Sequence, residues 1–203
     1  MKPQKIAVLC SGGGTNFQAI LGAQEAGLIP HGEVALLITD RAGAYALTRA
    51  ARYGIPCAVF DRKEIPDRSE REKKIAALLK EREIGLVVLA GFMTVLSAAF
   101  VKEFEGRMIN IHPALVPSFC GEGYYGLRVH EEALKRGVKV TGATVHYVTE
   151  VCDGGPIIAQ KAVEVKEGDT PQTLQKRVMQ EAEWVILPRA VETVCEKLSG
   201  ETK

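Results

Sequence analysis

The fold is decided by the stretch Ile6-Ala7-Val8-Leu9-Cys10-Ser11-Gly12-Gly13-Gly14-Thr15-Asn16. Its first five residues are all apolar, and a continuous apolar run predicts a strand that is buried on both faces. After the three glycines, apolar side chains recur at spacings of three and four, which predicts a helix over residues 16–25. A buried strand that leads through a glycine loop into a helix is typical of the first unit of a parallel α/β sheet.

The alternation of strand and helix continues along the chain. Further buried strands are predicted at residues 34–38, 56–60, 86–90 and 108–111, and further helices at residues 45–53, 69–82 and 97–104. Residues 141–148 alternate between two faces and, with a strand at residues 157–165, look antiparallel. A last helix starts at Thr170-Pro171 and runs to about Leu198. The sequence therefore predicts a single α/β domain, with a Rossmann-like, mostly parallel open sheet, helices on both faces and an antiparallel C-terminal extension.

The composition excludes several classes of protein. The 203 residues carry 26 Lys and Arg against 25 Asp and Glu, a formal net charge of +1. A protein that binds nucleic acid or a membrane through basic residues would show a basic excess, so neither partner is expected. No apolar run approaches the ~20 residues that span a bilayer, and residues 6–10 are too few for a signal peptide. Five scattered cysteines without a C-x-x-C pair indicate buried, reduced thiols in a cytoplasmic protein.

The glycine loop at residues 11–16 has two interpretations, a phosphate site and a tight turn capped by Thr15. Glycines let the backbone approach an anion, and a helix start offers unpaired N–H donors. The loop is not a dinucleotide fingerprint, because Phe17 stands where the last glycine belongs, and it lacks the lysine of a P-loop. The failed fingerprint disfavours a nicotinamide oxidoreductase. The loop alone favours neither interpretation.

A second candidate site lies at the end of the fifth strand, in Asn110-Ile111-His112-Pro113. Open α/β sheets bind ligands at this edge. Histidine can take up and return a proton near neutral pH, and an asparagine amide can donate to an oxyanion. A distant carboxylate, Asp153, can orient and charge a histidine. Local sequence alone favours simpler roles, a buried structural histidine and an aspartate that shapes a turn. No G-x-S-x-G elbow supports an acyl-enzyme hydrolase.

Five ordered motifs resemble the phosphoribosylglycinamide formyltransferase family of purine synthesis. They are Ser11-Gly-Gly-Gly-Thr-Asn16, Ala90-Gly-Phe-Met93, Asn110-Ile-His-Pro113, Gly142-Ala-Thr-Val-His146 and Asp153-Gly-Gly-Pro156. The resemblance runs from Lys5 to about Arg189. It implies transfer of a formyl group from 10-formyltetrahydrofolate, as co-substrate and without a metal, to the amine of glycinamide ribonucleotide. The small-molecule substrates are the expected partners, and the protein is expected to be a monomer or homodimer.

The resemblance also implies roles for individual residues. Asn110, His112 and Asp153 match the catalytic trio, in which the first two stabilise an oxyanion and Asp153 tunes His112 and assists proton transfer. The positions expected to bind the ribonucleotide are Gly14, Thr15, Asn16, Gly91, Pro113 and Glu183. Those expected to bind the folate are Arg68, Met93, Thr94, Val95, Leu96, Asn110 and Asp153, with Thr144 and His146 as supporting residues. Glu183 matches the family's ribonucleotide-binding carboxylate only with a one-residue gap after Arg177, so Glu181 remains an alternative.

Some positions depart from the family pattern. Ala114 replaces a common Ser, Thr94 stands where some members have Arg, and the loop at residues 119–126 is longer than in short bacterial forms. Because this loop is rich in Gly and Tyr, we expect it to be a mobile cover over the site.

We expect one formyltransferase domain over residues 1–203. Its phosphate-binding half is expected at about 1–108 and its folate-binding and catalytic half at about 109–203. Methionyl-tRNA formyltransferase and formyltetrahydrofolate deformylase, which carry an additional domain, are disfavoured by the length of the chain. A non-catalytic phosphate- or folate-binding module is disfavoured because the whole trio is present.

Overall fold

A computed structural model describes residues 2–201; Met1, Thr202 and Lys203, which the predicted domain includes, lie outside the described residues. The strands are β1 (Gln4–Leu9), β2 (Gly32–Thr39), β3 (Cys57–Val59), β4 (Leu86–Leu89), β5 (Met108–His112), β6 (Val140–Tyr147) and β7 (Ile157–Glu164). The helices are α1 (Thr15–Glu25), α2 (Ala46–Arg52), α3 (Arg68–Glu81), α4 (Ala98–Glu103), α5 (Leu127–Arg136), α6 (Pro171–Val178) and α7 (Trp184–Glu201). A π-helical turn, Met179–Glu183, joins α6 to α7.

The described strands form one sheet in the order β3-β2-β1-β4-β5-β6-β7. The first five strands in this order are parallel, and β6 and β7 are antiparallel to their neighbours. The predicted fold class, a mostly parallel sheet with an antiparallel C-terminal extension, is confirmed. The carboxyl ends of the five parallel strands therefore meet at one edge.

Two apolar layers cover the sheet, one on each face. Ile6 and Val8 point into the layer formed with α1 and α7, and Ala7 and Leu9 point into the layer formed with α3 and α4. All four side chains are fully buried. The unbroken apolar run of β1 thus reflects burial on both faces, as the sequence predicts.

Three of the differences between the predicted and the observed elements involve candidate site residues. Helix α3 begins at Arg68, one residue early, because the Asp67 side chain accepts a hydrogen bond from the Glu70 N–H at 2.6 Å and caps it. Strand β5 includes His112, because that residue still pairs with Thr144 of β6. The single predicted C-terminal helix is instead two helices joined by the π-helical turn.

The start of α1 depends on the backbone freedom of Gly14. This residue is the N-cap, its φ is 69°, and no side chain caps the helix. A Cβ atom at this position would lie 2.8 Å from the Ala46 Cβ. The predicted alternative of a cap by Thr15 is therefore wrong, and the N–H groups of the first turn lack a side-chain partner.

No helix in the described part of the chain is both long enough and apolar enough to cross a bilayer.

The turn that carries Asp153 requires a glycine at position 155. A Cβ added to Gly155 would lie 1.8 Å from the backbone oxygen of Tyr147, far inside contact distance. We expect Gly155→Ala to lower the free energy of unfolding by about 2–4 kcal/mol, because the backbone must move. Gly43→Ala is the control, since nothing lies within 4 Å of its added Cβ. Equal unfolding free energies for the two variants in urea would contradict this account.

Candidate active site

A cavity of about 640 Å³ opens at the carboxyl edge of the sheet. Most of the predicted site residues line it: Asn16, Gly91, Met93, Thr94, Val95, Leu96, Asn110, His112, Pro113, His146, Asp153 and Glu183. Gly14, Thr15, Arg68 and Thr144 are not part of the lining. The cavity therefore takes residues from both predicted halves of the chain.

Strand pairing explains how four of the polar side chains come together. Asn110 and His112 are two residues apart on β5, so they project from the same face of the sheet. Their direct neighbours on β6 are His146 and Thr144. The Asn-x-His pattern of β5 and the Thr-x-His pattern of β6 thus form one polar patch, although Asn110 and His146 are 36 residues apart in the sequence.

The Asp153 carboxylate joins this patch to two loops. Its Oδ2 accepts a hydrogen bond from the Gly121 N–H at 2.9 Å and lies 3.5 Å from His112 Nδ1. Its Oδ1 accepts from Asn110 Nδ2 at 3.3 Å and lies 3.5 Å from His146 Nε2. The backbone of Asp153 has a φ of 52°, a left-handed conformation that aspartate tolerates better than most residues.

The surroundings of Asp153 favour its charged form. Burial by itself raises the pKa of this carboxyl, since only 9% of the side chain is exposed. The hydrogen bond with His146, the charge of His112 and the Gly121 N–H together outweigh burial and hold the pKa below its usual range. Asp153 is therefore an anion at neutral pH.

The ring of His112 is oriented through its Nε2 atom. This nitrogen lies 2.8 Å from the carbonyl oxygen of Phe119 and, because a carbonyl only accepts, Nε2 carries a proton. The other nitrogen, Nδ1, faces Asp153 at a distance too long for a direct hydrogen bond. Nδ1 is therefore the ring nitrogen without a direct hydrogen bond to a described residue, and it faces Asp153.

The amide of Asn110 lies between His146, Asp153 and the cavity. His146 Nδ1 donates to the Tyr147 carbonyl at 2.8 Å, and the other ring nitrogen, Nε2, lies 3.1 Å from Asn110 Nδ2. Asn110 Nδ2 also donates to Asp153 Oδ1 at 3.3 Å. These contacts orient the amide at the edge of the cavity that Asn110 lines.

Thr144 lies beneath the site and holds the segment that follows His112. Its buried hydroxyl donates to the Ala114 carbonyl at 2.7 Å and accepts from the Val116 N–H at 3.0 Å. Gln160 Nε2 lies at 3.0 Å from the same oxygen. Thr144, which the sequence predicts to be a supporting residue, therefore contacts the backbone that follows His112 and does not line the cavity.

Glu183 and Asn16 form the polar end of the cavity. Asn16 Nδ2 donates to Glu183 Oε2 at 2.5 Å, and Asn16 Oδ1 is buried with no hydrogen-bond partner among the described residues. Burial raises the pKa of the Glu183 carboxyl, and the bond from Asn16 opposes this rise. A buried carboxylate and an unpartnered amide oxygen are acceptors that suit ligand hydroxyl or amine groups.

The π-helical turn decides which glutamate reaches this end. The family resemblance matches Glu183 only with a one-residue gap after Arg177, and a π turn differs from an α turn by one residue. In this turn Glu183 is 6% exposed and lines the cavity, whereas Glu181 is exposed to solvent. Of the two alternatives, the structure brings Glu183 to the site.

The opposite end of the cavity is an apolar strip, residues 93–96. Its backbone is anchored by a hydrogen bond from the Met93 N–H to the Ser11 hydroxyl at 2.8 Å. Arg68 Nη1 lies 3.5 Å from the Val95 carbonyl, so the predicted folate residue borders the strip from outside. The Thr94 hydroxyl donates to buried Asp40 at 2.7 Å.

The loop that the sequence predicts over the site contributes Gly121 to Gly126 to the lining of the cavity. Sequence reasoning missed other lining residues, among them Arg41 and Arg62. A usable signal existed for the two arginines, because each follows a predicted parallel strand at its carboxyl end. The expected mobility of the loop at residues 119–126 stays a prediction.

Two other expectations need correction or comment. The cysteines are all free, but only Cys10 and Cys195 are buried; Cys57 and Cys152 are exposed and Cys120 is partly exposed. The prediction of five buried thiols is therefore wrong, since apolar neighbours in sequence do not determine burial in loops or on the edge strand β3. Among the described residues, no group of three or more His, Cys, Asp or Glu side chains is arranged to hold a metal ion.

His130, on α5, is a buried histidine with both ring nitrogens unpartnered among the described residues. Burial, with a contribution from nearby His112, lowers its pKa from 6.5 to about 4. The folded protein therefore binds this proton more weakly than the unfolded chain does.

We expect the free energy of unfolding to fall by up to about 3 kcal/mol as the pH drops from 6.5 to 4, because the unfolded chain takes up the His130 proton first. His130→Leu should remove this part of the pH dependence in urea unfolding. His31→Gln, which changes a partly exposed histidine, should keep it. An unaltered slope in His130→Leu would refute the assignment.

The comparisons with known proteins agree with this geometry. Residues 4–191 match the family model described as formyl transferase. The chain is 44% identical over 190 residues to a trifunctional purine biosynthetic protein of Gallus gallus, covering 94% of this chain but 18% of that protein. It thus spans about a fifth of the length of such trifunctional relatives.

Other relatives are matched over most of their length. The chain is 39% identical to phosphoribosylglycinamide formyltransferase of Haemophilus influenzae, over 93% of this chain and 85% of that protein. The crystal structure of glycinamide ribonucleotide transformylase 1 from Symbiobacterium toebii superposes with a TM-score of 0.89 at 42% identity, covering 96% of this chain and 89% of that one. With its cavity at the carboxyl edge and this match over nearly its whole length, the chain belongs to the formyl transferase family.

Proposed function

We propose that the chain transfers the formyl group of 10-formyltetrahydrofolate to the amine of glycinamide ribonucleotide, giving formylglycinamide ribonucleotide and tetrahydrofolate. One observation carries the proposal. Asn110, His112 and Asp153 converge in a single cavity, between a polar end at Glu183 and an apolar strip at residues 93–96. The relatives named for this activity share about 40% of the sequence.

The ribonucleotide is proposed to bind at the polar end. The uncapped start of α1 at Gly14 and Thr15 offers N–H donors and a positive dipole end for the phosphate. Asn16 and Glu183 lie beside it and supply acceptors for ribose hydroxyls. Gly91 and Pro113, which also line the cavity, leave space between this end and the trio.

The folate is proposed to bind along residues 93–96. Met93 and Val95 are large, apolar and exposed, and both line the cavity, so they offer apolar surface to the pterin. Thr94 and Leu96 complete the strip, and backbone groups can recognise the hydrogen-bond pattern of the pterin. Arg68, which borders the strip, is placed to meet a carboxylate.

The trio is proposed to carry the transfer. The amine nitrogen attacks the formyl carbon, and the formyl oxygen becomes an oxyanion. His112, protonated at Nδ1, and the Asn110 amide donate to this oxygen. Ionised Asp153, 3.5 Å from His112 Nδ1, pairs with this charge and accepts or relays the amine proton. The folate nitrogen gains one proton as its bond to carbon breaks, so the amine loses one proton and the folate gains one.

The reaction involves small molecules only, and one chain supplies the whole lining of the cavity. A monomer is therefore sufficient in this proposal, and a homodimer is compatible with it. Five free thiols suit the reducing environment of the cytoplasm, where we propose the protein works.

We expect His112→Gln to lower kcat for ribonucleotide-dependent formyl transfer by about 10²- to 10⁴-fold, because the oxyanion loses a charged donor. The release of tetrahydrofolate, followed by absorbance, measures this. His31→Gln is the matched control and should keep the wild-type rate, since His31 pairs with Glu192 and neither residue lines the cavity. Wild-type turnover in His112→Gln would reject the role of the histidine.

The two glutamates of the π-helical turn give a second test. Glu183→Gln should raise the KM for the ribonucleotide about ten- to hundredfold and leave the folate KM unchanged, because a charged acceptor for its hydroxyls is lost. Glu181→Gln should leave both KM values unchanged, since Glu181 is exposed. The reverse pattern would assign the ribonucleotide contact to Glu181.

A further inference from the structure

A largely buried ion pair holds the helix that leads to Glu183. Arg177, in the last turn of α6, donates from Nη1 to Asp169 Oδ2 at 2.5 Å and from Nη2 to Asp169 Oδ1 at 2.6 Å. The exposed fractions of the two side chains are 15% and 4%. Two parallel hydrogen bonds between a guanidinium and a carboxylate fix both partners in one orientation. Neither residue lines the cavity, so the pair is not part of the site described above.

The ion pair ties α6 to the end of β7. Asp169 also accepts hydrogen bonds from the Lys166 N–H at 2.8 Å and from the Thr173 hydroxyl at 3.0 Å. Arg177 Nη1 donates as well to the carbonyl of Glu164, the last residue of β7, at 3.1 Å. Both the start and the end of α6 are therefore anchored beside the strand. The helix cannot slide along its axis without breaking these hydrogen bonds.

The far side of the π-helical turn is anchored by burial. Ala182, within the turn, and Leu187 and Val191 of α7 are fully buried in the apolar layer that α1 and α7 form on one face of the sheet. The π-helical turn, Met179–Glu183, thus joins two fixed points, the ion pair at Arg177 and the buried face of α7. A shift of Arg177 therefore acts first on this turn.

Arg177 also acts on the orientation of the two glutamates in the turn. Its pKa is raised, first by the hydrogen bonds with Asp169 and also by nearby negative charges, which include Glu181. The guanidinium therefore attracts Glu181 on the exposed side of the turn. Residues two apart project from nearly opposite sides of a helix. With Glu181 held outside, Glu183 faces the cavity.

We propose that Arg177 is a positioning residue for the ribonucleotide site. Its ion pair with Asp169 fixes the end of α6 and its charge holds Glu181 outside. The Glu183 carboxylate is thereby held beside Asn16 at the polar end of the cavity. Since the proposed function assigns Glu183 to the ribonucleotide, this role rests on that function. Arg177 then affects ribonucleotide binding through Glu183 and not through a contact of its own.

Arg177→Met removes the guanidinium and keeps a long side chain. We expect the KM for the ribonucleotide to rise about tenfold, with the folate KM unchanged and kcat within about twofold, because Glu183 is displaced and the trio is not. In a Glu183→Gln background the same change should raise this KM by less than about twofold, because the contact that Arg177 positions is already weakened. A full tenfold rise in that background would overturn the role, since a general loss of structure acts on both backgrounds alike.

Two variants serve as controls. Lys176→Met removes an exposed cation next to Arg177 on α6 that does not line the cavity, so both KM values should stay at the wild-type level. Ile84→Val truncates a buried side chain in the apolar layer on the opposite face of the sheet, so it lowers the free energy of unfolding without touching α6. A ribonucleotide KM that rises in Ile84→Val as it does in Arg177→Met would assign the effect to stability and overturn the positioning role.

Trp184 provides a measurement that needs no ligand. It is the single tryptophan of the chain, it directly follows Glu183, and its indole Nε1 is buried. We expect its fluorescence emission maximum to shift in Arg177→Met and to stay unchanged in Lys176→Met and Ile84→Val, because only the first variant moves the turn. An unchanged emission in Arg177→Met would overturn the positioning role. An absence of ribonucleotide-dependent transfer by the wild-type protein would reject the proposed function, while the emission of Trp184 still decides whether Arg177 positions the turn.

Discussion

The structure of the site depends on one buried negative charge, the Asp153 carboxylate. A buried carboxylate is costly unless hydrogen bonds and opposite charge compensate it. Here the compensation comes from the Gly121 N–H, the Asn110 amide and two histidines. These groups belong to β5, β6 and a loop, so satisfying one charge fixes the relative position of all three segments. The same contacts hold His112 and Asn110 in the lining of the cavity.

The antiparallel extension of the sheet is what makes this arrangement possible. By pairing β6 directly beside β5, it sets His146 against Asn110 and Thr144 against His112. His146 uses one nitrogen on its own strand and the other on Asn110, so it orients the amide, while Thr144 orients the backbone beyond His112. The left-handed backbone at Asp153 and the crowded Gly155 then aim the carboxylate at this pair. A short hairpin-like turn thus completes a site that begins on parallel strands.

The fold was largely predictable because its physical signal is local. Unbroken apolar runs indicate strands buried on both faces, and β1 to β5 follow them closely. The trio was predictable only through the order of five motifs, since nothing local brings Asp153 to His112. Other features depend on packing between segments that are distant in the sequence. They are the exposure of Cys57 and Cys152, the exposure of Arg41 and Arg62, and the π-helical turn at Glu183. The sequence shows that a one-residue gap is needed after Arg177, but it does not show whether this difference forms a loop or a π-helical turn.

The central claim is that ionised Asp153 enables this cavity to move a formyl group between two bound small molecules. Its most direct test is a single-turnover experiment with isotope-labelled 10-formyltetrahydrofolate and glycinamide ribonucleotide, in which mass spectrometry follows labelled formylglycinamide ribonucleotide. With the wild-type protein we expect labelled product. With Asp153→Asn we expect the rate of product formation to fall by at least about 10²-fold, although both substrates still bind. Product that forms at equal rates in both proteins, or no ribonucleotide-dependent product with the wild type, would contradict it.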